Sequence, residues 1–168
     1  MADLKPFKIL ISDDSSQMRD ILTTMLRSAG AETIRETIDG ADAYRALATF
    51  PADLALIDFN MVPLDGVAFT RLVRNSADSP NPFMPIIMMT GHAERRRVNE
   101  ARDAGVNEFV VKPLTARSVM ARLEAVILRP RPFIRTDAYF GPCRRRVNRA
   151  DYLGPWRRAE DQRYLNLD

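Results

Sequence analysis

Residues 7 to 111 alternate between two textures, and that alternation is the strongest constraint on the fold. Short apolar runs stand at Phe7–Ile11, Leu54–Ile57, Ile86–Met89 and Phe109–Val111, and each reads as a buried strand. Glu32–Thr37 (ETIRET) is more polar and reads as an edge strand. Between the runs lie helical patterns. Met18, Ile21, Leu22, Met25, Leu26 and Ala29 recur at the spacing of one helix face, with Ser15 or Ser16 placed to cap its start and Gly30 placed to end it. Residues 40–49, 66–75, 94–104 and 115–128 are further helix candidates, and Gly105 follows the third of them. Five strand–helix units with continuous apolar strands predict an α/β fold, a doubly wound parallel sheet of five strands covered by helices on both faces.

An open sheet of that kind presents its ligands at the carboxyl ends of its strands. Asp13 and Asp14 follow the first apolar run, Asp58 the third, Thr90 the fourth and Lys112 the fifth. Three carboxylates in one pocket repel one another unless a cation joins them, and hard oxygen ligands with room for water suit Mg²⁺. Beside Mg²⁺, one carboxylate can act as the nucleophile of phosphoryl transfer, with the lysine neutralising the transferred group and the threonine hydroxyl donating to it. One strand-end Asp alone is more often a cap or turn residue. The set of positions together carries the reading.

The residues Asp13–Asp14, Asp58, Thr90–Ala93 (TGHA) and Lys112–Pro113 resemble the receiver domain of two-component response regulators, the CheY-like, flavodoxin-like family, over about residues 5–128. The resemblance implies strand order 2-1-3-4-5 and a phosphoacceptor at Asp58. It implies a Mg²⁺ site of Asp13, Asp14, Asp58 and the backbone carbonyl of Asn60, with Thr90 and Lys112 contacting the phosphoryl group. Phe109 falls at the aromatic switch position, where the family often has Tyr; a phenolic hydroxyl is missing here. A sensor histidine kinase or phosphotransfer protein is the implied partner. Arg95–Arg97 opens the fourth helix and reads either as a solvated face or as part of the family's output surface, and His92 reads as a loop residue.

Charge divides the chain at the same place as pattern. Residues 1–128 carry 15 Lys+Arg against 17 Asp+Glu, whereas residues 129–168 carry 10 Arg, no Lys and 5 Asp+Glu. We therefore read a receiver domain over 1–128 and an irregular arginine-rich C-terminal extension over 129–168, begun by Arg129–Pro132 (RPRP) and lacking a sustained helical or strand period. The extension repeats itself: YFGPCRR at 139–145 is followed by YLGPWRR at 152–158. Each copy has an aromatic, a Gly-Pro turn and an arginine pair. Arginine can address the O6 and N7 edge of guanine and stack on a base, and nearby Asp137 and Asp151 can accept from guanine donors. A ligand with two guanines and two phosphates is cyclic di-GMP.

The stretch Gly141–Arg146 (GPCRRR) is similar to the tail of the Cle group of CheY-like regulators, which bind cyclic di-GMP and act on the flagellar motor. The candidate nucleotide-binding residues are Arg131, Arg135, Tyr139, Arg144, Arg145, Arg146, Asp151, Tyr152, Trp156, Arg157 and Arg158. With that ligand, flagellar motor switch proteins are candidate partners; the alternatives are a stand-alone phosphorelay or adaptor receiver whose basic tail only docks an acidic protein partner, or single-stranded nucleic acid, for which the run of charge is short. The only cysteine, Cys143, precludes an internal disulfide. No leader peptide or membrane-length apolar run is apparent, so a cytoplasmic, non-enzymatic signalling protein is expected.

Overall fold

The computed structural model describes residues 2–91 and 95–144 together with the backbone of the two-residue strand Tyr164–Leu165. Strands β1 (Lys8–Ser12), β2 (Thr33–Thr37), β3 (Leu54–Asp58), β4 (Ile86–Thr90) and β5 (Glu108–Val111) form one parallel sheet in the order β2-β1-β3-β4-β5. Helices α1 (Ser16–Ser28), α2 (Gly40–Ala46), α3 (Gly66–Asn75), α4 (Arg95–Ala104) and α5 (Ala116–Leu128) connect and cover it.

Successive strand residues point to opposite faces, and both faces are buried. Ile9, Ile11, Leu54, Leu56, Ile87 and Met89 meet Leu22 and Leu26 of α1 and Val119, Leu123 and Val126 of α5. Their neighbours Leu10, Ala55, Ile57, Ile86 and Met88 meet Ala43 of α2, Val67, Phe69 and Val73 of α3, and Ala101 and Ala104 of α4. This two-sided burial is why the central strands read as unbroken apolar runs rather than as alternating ones. β2 lies at the edge, and only Thr37 in it is fully buried.

Local signals fix the helix ends. The Ser15 side chain accepts from the Met18 amide to cap α1, and Gly30 after it takes φ +96°, a conformation costly for a side-chain-bearing residue. Asp39 caps α2, Asp65 caps α3, and Thr115 and Ser118 form a reciprocal capping box on α5. α2 stops at Ala46, short of the ten residues expected, because Leu47 to Phe50 continue as turns whose amides bond back to carbonyls of residues 43–46.

The segment after α5 is more ordered than its lack of period implies. Phe133–Arg135 (β6) and Phe140–Pro142 (β7) form an antiparallel hairpin, and Tyr164–Leu165 (β8) pairs with the other edge of β6. Strands of two or three residues are too short to display a period of two, so the sequence pattern cannot announce them. The hairpin packs on the receiver. Phe133 and Phe140 are buried, and their rings lie 5.2 Å from that of Phe83 in edge-on contacts.

Arg74, the penultimate residue of α3, is 2% exposed and lies beneath the hairpin. Its guanidinium donates to the carbonyls of Gly105 (3.1 Å) and Pro82 (2.8 Å) and to Asn107 Oδ1 (3.0 Å). It also lies 5.0 Å from the centroid of the Phe133 ring. All three acceptors are neutral, and burial lowers the Arg74 pKa to about 9, which leaves the group charged at neutral pH. Gly105, at φ +105°, must be glycine for a second reason: a Cβ there would sit 3.0 Å from both Arg74 Cγ and the Phe140 carbonyl. Arg131 completes the seam, donating to the carbonyls of Cys143 (3.1 Å) and Asn107 and pairing with Glu108 at 3.8 Å.

Arg74→Met should therefore destabilise the protein by about 2–4 kcal/mol, because it leaves several buried acceptors unsatisfied. Arg71→Met, on the exposed side of the same helix, should cost no more than about 0.5–1 kcal/mol. Urea-unfolding midpoints of the two variants check this, and equal midpoints would remove Arg74 from its structural role.

Candidate functional site

The carboxyl ends of the parallel strands converge as the topology requires. Asp13 and Asp14 leave β1, Asp58 ends β3, Thr90 ends β4, and Lys112 leaves β5. Carboxylate oxygens of Asp13, Asp14 and Asp58 lie within 4.8 Å of one another. Asp13 and Asp58 are buried and Asp14 is exposed at the mouth. Lys112 Nζ sits between the two buried carboxylates, 2.7 Å from Asp58 Oδ1 and 2.9 Å from Asp13 Oδ2. The strands that deliver these groups are locked behind them, since the Phe59 amide donates to the Met89 carbonyl and the Lys112 amide to that of Thr90, each at 2.8 Å.

The remaining oxygens are held by backbone donors. Asp13 Oδ1 accepts from the Ser15 amide at 2.9 Å, and Asp58 Oδ2 accepts from the Asn60 amide at 3.1 Å. Burial holds the Asp58 carboxyl above the ordinary carboxylate range; the Lys112 ammonium opposes this, and the Asp13 charge adds to it. Burial draws Lys112 down, but its hydrogen bonds to Asp58 and Asp13 outweigh that and leave it raised. One ammonium thus serves three carboxylates. The donor set, three carboxylates close enough to share one ion and short of positive charge, fits a hard divalent cation such as Mg²⁺.

Thr90 is 4% exposed at the end of β4. Phe109, on β5, is half-buried and packs against the core shared with α2, α3 and α4. Asn60 is exposed on the loop after β3, and its side chain introduces a residue that the sequence pattern does not single out. Arg97 of α4 turns back over this loop, donates to Asn60 Oδ1 at 2.8 Å, and lays its guanidinium 4.4 Å from the centroid of the Phe59 ring. Within the run RRR nothing in the sequence separates Arg97 from its neighbours; only the helix phase does.

The described tail residues lie at the opposite end of the sheet. The hairpin rings meet Phe83, and Arg131 just before the hairpin meets Asn107 and Glu108, at the amino ends of β4 and β5, a strand length of about 15 Å from the carboxylates. Arg135 stacks on Phe140 at 4.1 Å and Arg144 on Tyr139 at 4.3 Å, while Arg144 also pairs with Asp103 at 2.9 Å. The Tyr139 hydroxyl donates to the Pro142 carbonyl at 2.8 Å. Arg131 is engaged with the receiver as described above. Arg145, Arg146, Asp151, Tyr152, Trp156, Arg157 and Arg158 lie outside the described residues, as does His92.

Comparison with known proteins agrees with this geometry. A profile of the response regulator receiver domain matches residues 9–124. The chemotaxis protein CheY of Pseudomonas aeruginosa is 38% identical over 122 residues, which cover 73% of this chain and 97% of that protein. The chemotaxis protein CheY-3 of Vibrio cholerae is 36% identical over 125 residues, covering 74% and 95% respectively. Among solved structures, CheY4 of Vibrio cholerae superposes with a TM-score of 0.67 at 27% identity, covering 72% of this chain and 98% of its own. The receiver domain of a Pseudomonas aeruginosa sensor histidine kinase, solved with a magnesium ion coordinated in its active-site cleft, superposes at 0.63 with 28% identity, covering 70% and 94%. With fold, strand order and strand-end residues in accord, the chain belongs to the response regulator receiver domain family.

Proposed function

We propose that this chain is a response regulator that takes a phosphoryl group on Asp58 and combines that input with a nucleotide signal read by its arginine-rich tail. The observation that carries the first half is the Lys112 ammonium held between Asp13 and Asp58 in a three-carboxylate cluster. In this reading an Asp58 oxygen attacks the phosphorus of a phosphohistidine or a small acyl phosphate. A P–O bond forms, and the P–N or P–O bond to the donor breaks. Asp13, Asp14, Asp58 and the Asn60 carbonyl would hold Mg²⁺, which supplies charge neutralisation when bound. Lys112 pairs with the new phosphoryl oxygens, and the Thr90 hydroxyl donates to one of them. Receiver domains of this family work with histidine kinases or phosphotransfer proteins as signalling modules rather than as turnover enzymes. The chemotaxis names of the relatives support a role in motility control, with flagellar motor switch proteins as partners. Among the described residues no helix is long and apolar enough to cross a membrane, which is compatible with a cytoplasmic location.

For the second half, the ligand is cyclic di-GMP, and the support is the doubled aromatic–Gly-Pro–Arg-Arg stretch. Arg135, just before the first copy, and Arg144, within it, lie over the rings of Phe140 and Tyr139. Beside them a polar cleft of about 310 Å³ is lined by Arg71, Arg135, Asp137 and Tyr139. A second reading has one observation in its favour. Arg131 and Arg144 already pair with Glu108 and Asp103 of the receiver, which is how a basic tail behaves when it simply docks on acidic protein surface.

Incubation with acetyl phosphate and Mg²⁺ should add one phosphoryl group, and Asp58→Asn should abolish the addition; mass spectrometry reads both. Mg²⁺ at tenfold its dissociation constant should stabilise the protein by about 1.4 kcal/mol, a rise in melting temperature of roughly 3–6 °C. Asp14→Asn should remove most of that rise.

Each bidentate Arg–guanine contact is worth about 1–3 kcal/mol, so Arg145→Ala or Arg158→Ala should weaken cyclic di-GMP binding roughly 5- to 150-fold in calorimetric titration. Lysine at either position should restore little, because it keeps the charge and loses the planar fork. Equal affinity of the Arg and Lys forms, or no preference over GTP and single-stranded RNA, would leave only the docking tail.

A further inference from the structure

We infer that Arg97 is a positioning residue for the phosphorylation chemistry, acting through Asn60; the inference rests on the reading of Asp58 as the acceptor. The contacts form a continuous chain. The Asn60 amide donates to Asp58 Oδ2 at 3.1 Å, and Asn60 Oδ1 accepts from Arg97 at 2.8 Å. The guanidinium also covers the Phe59 ring, the residue between acceptor and asparagine, at 4.4 Å. Phe59 is 3% exposed and is fixed in turn by its amide on the Met89 carbonyl and its carbonyl on the Gly66 amide. Asn60 is exposed, so core packing does not fix its side chain. Arg97 grips the loop at two successive residues by two kinds of contact, a charged hydrogen bond and a cation–π stack.

Two consequences follow from the chemistry. An acceptor carboxylate reacts fastest when its rotamer and its loop are set before the donor arrives, since ordering them during the reaction adds to the barrier. Arg97 supplies that ordering from α4, outside the carboxylate cluster. Further, Phe109 has no hydroxyl, so a phenolic link between the strand ends and β5 is closed to this chain. The Asn60–Arg97 contact provides a polar connection from the acceptor to α4 instead.

The test is a double-mutant cycle on the full-length chain, with the initial rate of phosphorylation by acetyl phosphate in saturating Mg²⁺ as readout. Arg97→Ala should slow uptake about 3- to 10-fold, the size of one partly exposed hydrogen bond from a charged donor. Arg97→Lys should recover only part of the rate, because it lacks the planar face. In an Asn60→Ala background, Arg97→Ala should slow uptake clearly less than in the wild type, because only the stack on Phe59 remains to be lost, the signature of two coupled residues. A residue that merely stabilised α4 would slow both backgrounds equally. Amide exchange of residues 59–66 in the unphosphorylated protein supplies a readout independent of the acceptor, and both single variants should accelerate it. Equal slowing in the two backgrounds, an unchanged rate in Arg97→Ala, or undisturbed exchange would overturn the inference. Labelling of an Asp58→Asn control would instead show that the acceptor itself is elsewhere.

Discussion

One ammonium group organises the polar end of this molecule. Lys112 Nζ stands 2.7 Å from Asp58 and 2.9 Å from Asp13, and so joins the end of β5 to those of β3 and β1, neither of which β5 pairs with in the sheet. The parallel sheet forces these ends together, because every strand runs the same way and both faces are sealed by helices. The sheet therefore creates a concentration of negative charge that it cannot itself neutralise. Lys112 offsets part of it, while burial, with the Asp13 charge a lesser contribution, holds the Asp58 carboxyl raised. A cluster of three carboxylates facing one ammonium fits a hard divalent cation.

The opposite end of the sheet solves the inverse problem. There a cation, Arg74, is buried among neutral oxygens and aromatic edges. Its guanidinium gathers the loop before β4, the loop before β5 and, through Phe133, the hairpin beyond α5. Asn107 serves both sides of this joint: its Oδ1 accepts from Arg74 and from the Ile86 amide, and its carbonyl accepts from Arg131. The receiver is thus pinned by a lysine among carboxylates at one end and by an arginine among carbonyls at the other. A point charge suits the first, where one ammonium faces carboxylates from two different strands. A rigid fork suits the second, where three fixed acceptors must be reached at once.

Much of the sheet and the carboxylate cluster was legible in the sequence because both rest on strong local signals. Apolar runs such as Leu54–Ile57 have few alternatives to a buried strand, and Asp13, Asp58 and Lys112 fall at run ends where a strand register of one residue decides the outcome. Arg74 and Arg97 were not legible. Each sits in a helical stretch where arginine usually faces water, and what distinguishes them is the carbonyl or asparagine that tertiary packing brings beside them, from residues 31 positions downstream in one case and 37 upstream in the other. The hairpin was missed for a different reason. Its strands are too short for periodicity, and its two phenylalanines gain meaning only from Phe83, fifty positions away from the nearer of them.

The seam between receiver and hairpin also bears on where this protein can be cut. The family profile ends within α5, at residue 124, yet Phe83 and the Arg74 guanidinium are also covered by rings from residues 133–140. Transplanting residues 1–128 into a chimera would open that seam to solvent, with two aromatic contacts of Phe83 and the ring over Arg74 removed together. The hairpin packs as part of the receiver's surface, so a cut directly after α5 would separate groups that are in contact.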